Sequence, residues 1–183
     1  MGYEAALDKS CDVLAQDNKA GVYTVKFLGD GYDIDLKDRR VISCASNLAA
    51  KDFTAILILH YLAKKINGLA GLTRQWVSFK ELSKVEGYGA AFRKRALDPI
   101  IRKYGANPKN LLTALERLPG EKAQTADLSI VVEAFEGVPV LIELWAGDEE
   151  FGPEVNMLFD KSITDIFCTE DTAVLAGLVA GAL

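Results

Sequence analysis

The stretch LSIVVEAFEGVPVLIELWA, residues 128–146, contains two runs of alternating side chains on either side of a Glu-Gly pair at 136–137. In the second run Val140, Ile142 and Leu144 fall on one face of an extended chain, because successive side chains of a strand point to opposite faces. The Glu-Gly pair is typical of a tight turn. The stretch therefore predicts an antiparallel hairpin with a buried second strand.

The same patterns predict the remaining elements of the chain. Short runs rich in β-branched and aromatic residues predict further strands at residues 22–28, 32–36, 40–45 and 154–160. Helical spacing of apolar residues predicts helices over residues 3–16, 52–66, 88–105 and 173–183. Because strands occur in runs with helices between them, we expect one α+β domain over residues 1–183. Its largely antiparallel sheet, an N-terminal meander plus C-terminal hairpin strands, packs against several helices.

Prolines and capping residues predict where several helices begin and end. Pro99 removes a main-chain N–H, so we expect it to kink or restart the helix at 88–105. Asn107-Pro108 predicts the start of another helix, which Pro119-Gly120 ends. Thr169 is expected to cap the last helix, with two acids in the first turn, where the helix dipole favours negative charge.

Composition narrows the class of protein. Half of the residues are apolar, and the start of the chain alternates polar and apolar residues without the pattern of a secretory signal. The apolar run at residues 173–183 has 11 residues, whereas a membrane span needs about 20. We expect a cytoplasmic protein with no membrane segment. The three cysteines have no C-x-x-C spacing, which favours structural roles for Cys11, Cys44 and Cys168.

Charge is distributed unevenly along the chain. Residues 64–122 carry 13 basic and five acidic side chains, whereas residues 123–183 carry one basic and 12 acidic side chains. Such blocks neutralise each other in the fold or leave a basic face that binds an anion. The overall excess of acids argues against nucleic acid as the partner.

Acidic residues concentrate after the second strand of the hairpin. Carboxylates that converge bind hard cations such as Mg²⁺ or Mn²⁺ or act as a general acid and base. The spacing does not match an EF-hand loop, and solvated loop carboxylates or ion-pair partners of the basic region explain it equally. The candidate metal ligands are Asp148, Glu149, Glu150 and Asp160.

Two further groups of residues are candidates for cofactor binding. His60 is the only histidine, and a neutral imidazole beside aromatic side chains suits haem or cobalt as well as a hydrogen-bonded structural role. The basic helix carries Arg93 and Arg95, which bind phosphate or carboxylate groups or lie on a solvated face. Trp76 and Phe79 precede that helix and are either pocket walls or core residues.

Several segments together resemble a known family. These segments are LHYLAKKINGLAGLTRQWVSFKEL, YGAAFRKRALDPI, LWAGDEEFGPEVNMLFDKSI and TEDTAVLAGL. In order and spacing they resemble an uncharacterised prokaryotic family, domain of unknown function 3786, from about Tyr23 to the C-terminus. The matching residues are His60, Tyr61, Trp76, Phe79, Trp145, Gly147, Asp148, Glu149, Glu150, Phe151, Asp160, Glu170 and Asp171.

The resemblance implies a setting rather than an activity. The family occurs largely in anaerobes, and some relatives carry a cysteine-rich iron–sulfur segment like that of corrinoid iron–sulfur proteins. This chain lacks the segment, because its cysteines are scattered. The resemblance therefore implies anaerobic metabolism and a link to corrinoids or other tetrapyrroles, but no cluster.

Three hypotheses follow. The first is a cytoplasmic binding module for a corrinoid or haem-like tetrapyrrole. Its candidate binding residues are His60, Tyr61, Trp76, Phe79, Arg93, Arg95 and Trp145. The second is a metal-assisted hydrolase that uses the acidic residues around Mg²⁺ or Mn²⁺. The third is an interaction module that docks on an iron–sulfur or corrinoid protein through opposite charges.

Overall fold

The fold is known from a computed structural model. The model describes residues 3–17, 22–82, 85 and 87–183, with only the main chain for residues 3, 4, 16 and 17. Within these ranges the fold is α+β, as predicted, with six α-helices, a three-stranded sheet and a five-stranded sheet, both antiparallel. The chain forms two compact units, Met1–Ala70 and Gly71–Leu183, and each contains one sheet.

The first unit contains the predicted meander between two helices. Its elements are α1 (Tyr3–Asp17), β1 (Val22–Phe27), β2 (Asp30–Asp35), β3 (Arg40–Ser43) and α2 (Asp52–Ile66). The strands lie in the order β1-β2-β3, and Val25, Phe27 and Ile34 are buried. Arg39, between β2 and β3, forms ion pairs with Asp8 (2.6 Å) and Asp12 (2.7 Å) of α1.

The second unit contains the hairpin that dominates the sequence. Its strands are β4 (Trp76–Ser78), β5 (Gly120–Ala123), β6 (Leu128–Phe135), β7 (Val138–Trp145) and β8 (Glu154–Asp160). They lie in the order β4-β8-β7-β6-β5. Val140, Ile142 and Leu144 are all buried, as the alternation predicted, and Ile142 pairs with Ile130 of β6. The sequence did not indicate β5, because Gly120 at its start was interpreted as the end of a helix.

One helical rod of the second unit contains a π-helical turn. It consists of α3 (Gly89–Phe92), the π-turn Arg93–Leu97 and α4 (Asp98–Tyr104). The N–H of Asp98 donates to the carbonyl of Arg93, five residues back, which is the hydrogen bond of a π-helix. Pro99 has no N–H to continue the α-helical pattern. The predicted restart is therefore a π-turn immediately before the proline.

The remaining helical segments confirm one prediction and correct another. A helix begins after Asn107, as predicted, and it is the 3₁₀ helix Pro108–Glu116. Two α-helices complete the unit, α5 (Ile163–Ile166) and α6 (Thr169–Ala182). Thr169 is the first residue of α6, and its cap is Cys168, whose sulfur accepts a hydrogen bond from the Asp171 N–H at 3.5 Å. No helix in the described ranges is long and apolar enough to cross a membrane.

Candidate functional site

Two of the predicted cofactor-binding residues lie in the first unit, on α2. His60 is half-buried, and its Nε2 lies 3.2 Å from the hydroxyl of Ser10 in α1. That hydroxyl also donates to the carbonyl of Ala6, so the Nε2–H of the imidazole is the natural donor to it. Tyr61 is buried, with the ammonium of Lys65 5.9 Å from the centre of its ring. Both side chains therefore have contacts within this unit.

The two tryptophans lie in the second unit, at opposite ends of β8. Trp76 pairs with Asp160 at one end of this strand, and Trp145 pairs with Glu154 at the other end. Six residues of extended chain separate the paired positions, which corresponds to about 20 Å. The tryptophans therefore do not form the two walls of one small pocket.

The acidic loop between β7 and β8 is a compact turn built around Asp148. Its Oδ1 accepts hydrogen bonds from the N–H groups of Glu150 (2.8 Å) and Phe151 (2.7 Å), and these bonds lower the pKa of Asp148. A Cβ at Gly147 would lie 2.9 Å from the Pro153 nitrogen, so the turn has no room for a larger residue. Asp148 therefore shapes the loop, while Glu150 and its neighbour Glu149 are exposed.

Asp160, the fourth predicted metal ligand, lies at the far end of β8 and has a different environment. Its buried carboxylate accepts hydrogen bonds from the Thr73 N–H and hydroxyl, the Arg74 N–H and the Ser162 N–H, at 2.7–3.0 Å. Burial raises the pKa of Asp160, but the bonds from Ser162 and Thr73 outweigh it and lower the pKa to about 2. The carboxylate thus anchors the segment before β4 to the end of β8.

These placements bear on the hydrolase hypothesis. The loop acids adjoin the Glu154 end of β8, about 20 Å of extended chain from Asp160. Among the described residues, no group of three or more His, Cys, Asp or Glu side chains could hold a metal ion. Metal-assisted chemistry at Asp148, Glu149, Glu150 and Asp160 gains no support from this arrangement.

The second unit contains a groove of about 570 Å³ between β8 and the helical rod. We call it the β8 groove. Its helical wall is a stripe of residues four apart, Arg93, Leu97 and Ile101. The opposite wall is the strand from Glu154 to Leu158, and one end is formed by residues 78–80 after β4.

Aromatic side chains form an apolar end of the β8 groove. Phe79 and Phe92 both line it, and their rings are stacked with centroids 4.2 Å apart and an interplanar angle of 11°. Both are largely buried, at 2% and 8% exposure, so only ring edges and neighbouring aliphatic groups are available to a ligand. The apolar surface of the groove thus comes from residues that also stabilise the core.

Two cations flank this apolar surface. Lys80 and Arg93 line the groove and are exposed, and among the described lining residues Glu154 is the acid. The Nε of Arg93 lies 3.2 Å from Asp98, so the two side chains form an exposed ion pair. Arg95 does not line the groove, and its Cβ lies next to Gly177 of α6. Of the seven predicted cofactor-binding residues, the structure therefore brings Phe79 and Arg93 together in one cavity.

All three cysteines are free thiols, and Cys11 is buried while Cys44 and Cys168 are exposed. Burial raises the pKa of the Cys11 thiol, and it raises the pKa of the Cys168 thiol to about 11. The pKa of Cys44 is raised by desolvation and by the nearby Asp33. Because the thiolate is the nucleophile and the metal ligand, the raised pKa values make these thiols less reactive at neutral pH.

Comparison with known proteins identifies the family. The family model described as Domain of unknown function (DUF3786) matches residues 5–182. The chain belongs to the DUF3786 family. No curated protein and no solved structure matches the chain. The function of this DUF3786 chain therefore has to be argued from its own residues.

Sequence reasoning missed part of the groove in this DUF3786 chain. Leu97 and Ile101 follow Arg93 at intervals of four, so the helical stripe was visible in the sequence. The sequence did not identify Lys80 as a groove residue, because single lysines are common after short strands. β8 forms a wall of the groove because β4 ends early, and no local sequence pattern predicts where β4 ends.

Proposed function

We propose that this DUF3786 chain is a binding module and that the β8 groove is its binding site. The observation that carries the proposal is the combination of a 570 Å³ groove, an aromatic end and two cations. Ligand sites typically have volumes of about 300–1,000 Å³, with mostly apolar walls and a few polar groups that orient the ligand. The groove suits a ligand with an apolar body and carboxylate or phosphate groups.

A tetrapyrrole is the small-molecule ligand that this proposal names. A corrinoid or haem has an apolar body and anionic side groups, and the resemblance to an anaerobe-associated family implied such a cofactor. In the proposal, Arg93 and Lys80 bind the anionic groups, because a guanidinium binds carboxylates through paired hydrogen bonds. A cytoplasmic setting in anaerobic metabolism belongs to the same proposal. His60 lies in the first unit, so its role as an axial ligand is a separate prediction, which the spectrum of His60→Ala tests.

Absorbance titration tests the tetrapyrrole proposal. Purified protein is titrated with haemin and with hydroxocobalamin, and we expect a saturable spectral shift with one of them. Arg93→Ala should weaken binding by about 10–100-fold, the worth of a charge-assisted hydrogen bond. Lys94→Ala is the matched control, because Lys94 is exposed on the same helix and does not line the groove.

The outcomes separate the parts of this proposal. If neither compound shifts the spectrum, the tetrapyrrole is not the ligand. If Lys94→Ala weakens binding as much as Arg93→Ala, the groove is not the site. If His60→Ala leaves the shifted spectrum unchanged, His60 is not the axial ligand.

A protein partner is the second candidate, and one observation favours it. The part of β8 that lines the groove lies beyond the end of β4, so the wall of the groove includes the edge of a sheet. Sheet edges bind extended segments of other proteins by adding a strand. The groove would then dock the chain on a partner, such as the iron–sulfur or corrinoid protein of the sequence-based hypothesis.

A further inference from the structure

The edge of β8 is only partly covered. β7 pairs with residues 154–159 of β8, but on the other side β4 pairs only with residues 158–160. After Ser78 the chain turns into a 3₁₀ helix and leaves the plane of the sheet. In the described part of the chain, no strand pairs with Glu154–Met157 on this side. We call these four residues the open edge.

Hydrogen bonding shows which main-chain groups face outward from the open edge. The Lys161 N–H donates to the Gln75 carbonyl at 2.8 Å, which continues the pairing of β8 with β4. In an antiparallel strand, alternate residues turn their N–H and C=O groups toward opposite neighbours. Val155 and Met157, like Lys161, therefore turn these groups toward the side of β4. Their N–H groups point into the space that β4 leaves empty.

The far side of the sheet gives the same assignment independently. The Glu133 N–H donates to the Pro119 carbonyl at 2.9 Å, so odd-numbered residues of β6 near it face β5. Ile130 of β6 then bonds to Ile142 of β7, with which it pairs. Because Ile142 turns its main-chain groups toward β6, its pair with Met157 of β8 is a non-hydrogen-bonded pair. The main-chain groups of Met157 thus face away from β7.

The surroundings of the open edge select the chemistry of an incoming strand. Among the described residues that line the groove, Lys80 and Arg93 are cations and Glu154 is an acid, and Arg93 is also paired with Asp98. Leu97 and Ile101 form an apolar stripe opposite the edge. A strand in this position would turn alternate side chains toward this helical wall, where Arg93 continues the apolar stripe, and the others toward solvent. The matching segment therefore combines apolar residues that reach Leu97 and Ile101 with acidic residues that reach Arg93 or Lys80.

We propose that the open edge binds an extended acidic segment of a partner protein as an added strand, in line with β4. The N–H groups of Val155 and Met157 donate to carbonyls of the segment, and Lys80 and Arg93 attract its carboxylates. The inference rests on the proposed use of the β8 groove as a binding site. It identifies the partner by a main-chain edge and a combination of acidic and apolar side chains.

A designed peptide provides the probe. It is a fluorescein-labelled hexapeptide of alternating aspartate and valine, and binding is measured by fluorescence polarisation with protein to about 1 mM. Two derivatives are N-methylated on alternate amides. The first carries a methyl group on the amide nitrogen of each valine, and the second on the amide nitrogen of each aspartate. In an added strand, one of these two sets of N–H groups faces β8 and the other faces away from it. Only one derivative should therefore bind more weakly than the unmethylated peptide, by at least about tenfold.

Two proline variants test the protein side of the contact. Val155→Pro removes an outward N–H and leaves the bonds to β7 intact, and proline is tolerated at such edge positions. We expect it to fold and to bind the peptide about tenfold more weakly. Asn156→Pro removes an N–H that bonds to Glu143 of β7, so it should lower the melting temperature. The pair separates loss of binding from loss of folding.

The results distinguish this inference from the proposed function. If both methylated peptides bind as well as the parent, the main chain is not recognised and the inference is wrong. A lysine–valine peptide that binds as tightly would also overturn it. If haemin or hydroxocobalamin binds the groove and the peptide does not, the strand addition fails while the binding site stands. If neither binds, both proposals fail.

Discussion

Replacing Asp160 with asparagine should destabilise the protein in a pH-dependent way. The carboxylate is 3% exposed and accepts four hydrogen bonds from Thr73, Arg74 and Ser162. Asparagine keeps the shape but has no charge, and its NH₂ group cannot accept the bonds that one carboxylate oxygen accepts. The segment before β4 would then lose its anchor on β8.

The pKa of Asp160 gives the magnitude. Lowering it from 3.8 to about 2 corresponds to about 2.4 kcal/mol, because a tenfold change in proton affinity is worth about 1.4 kcal/mol. A lowered folded-state pKa stabilises the protein above the unfolded-state value of 3.8, and this contribution falls as the pH approaches 2. At pH 7 the full 2.4 kcal/mol is present, and at pH 3 about 1.3 kcal/mol remains.

Urea unfolding at pH 7 and pH 3 measures this difference. We expect Asp160→Asn to lower the free energy of unfolding by about 2–3 kcal/mol at pH 7 and by about half as much at pH 3. Asp165→Asn is the matched control, because Asp165 is exposed on α5 nearby. A loss below about 1 kcal/mol at pH 7, or equal losses at the two pH values, would refute the electrostatic role of the carboxylate.

Three further substitutions test packing and charge. Gly177→Ala should stabilise α6 by up to about 1 kcal/mol in thermal unfolding, because the nearest atoms to a Cβ there belong to Arg95 at 3.9 Å. A clear loss of stability would mean that the helices approach each other more closely. Gly120→Ala should cost about 1–3 kcal/mol, since its Cβ would lie 2.1 Å from the carbonyl oxygen of Val131; an unchanged melting temperature would argue against that β5–β6 register. Arg39→Ala should lower the melting temperature at low salt, because it removes two exposed ion pairs with α1. This decrease should shrink in 1 M NaCl, and a loss independent of salt would point to packing instead.

The sequence by itself determined the strands and most of the helices. The apolar run at residues 138–146 predicted the buried strand β7, in which Val140, Ile142 and Leu144 share one face and Leu141 and Glu143 on the other face are buried as well. The meander and the two long helices of the first unit followed from equally local patterns. The prediction that the chain is one domain, and the assignment of the ligand, stay predictions.

Local sequence patterns did not determine the details of helix ends and helix type, where two conformations have similar free energies. Thr169 is a good capping residue, but the chain turns one residue earlier, so the cap is Cys168. The Asn107-Pro108 pair indicates the start of a helix but not its type, and the helix there is a 3₁₀ helix. The energy differences between such alternatives are small, about 1 kcal/mol for a cap, and packing decides between them.

Only the tertiary structure decided the candidate site. Phe79 and Arg93 are 14 positions apart in sequence, and they line one groove because the helical rod packs beside β8. Asp160 had the appearance of a metal ligand in sequence, yet main-chain N–H groups of Thr73 and Arg74 occupy its oxygens. The open edge exists because β4 ends at Ser78, opposite the last residues of β8. Side-chain periodicity encodes which face of a strand is buried, but the neighbour along its edge is chosen by distant parts of the chain.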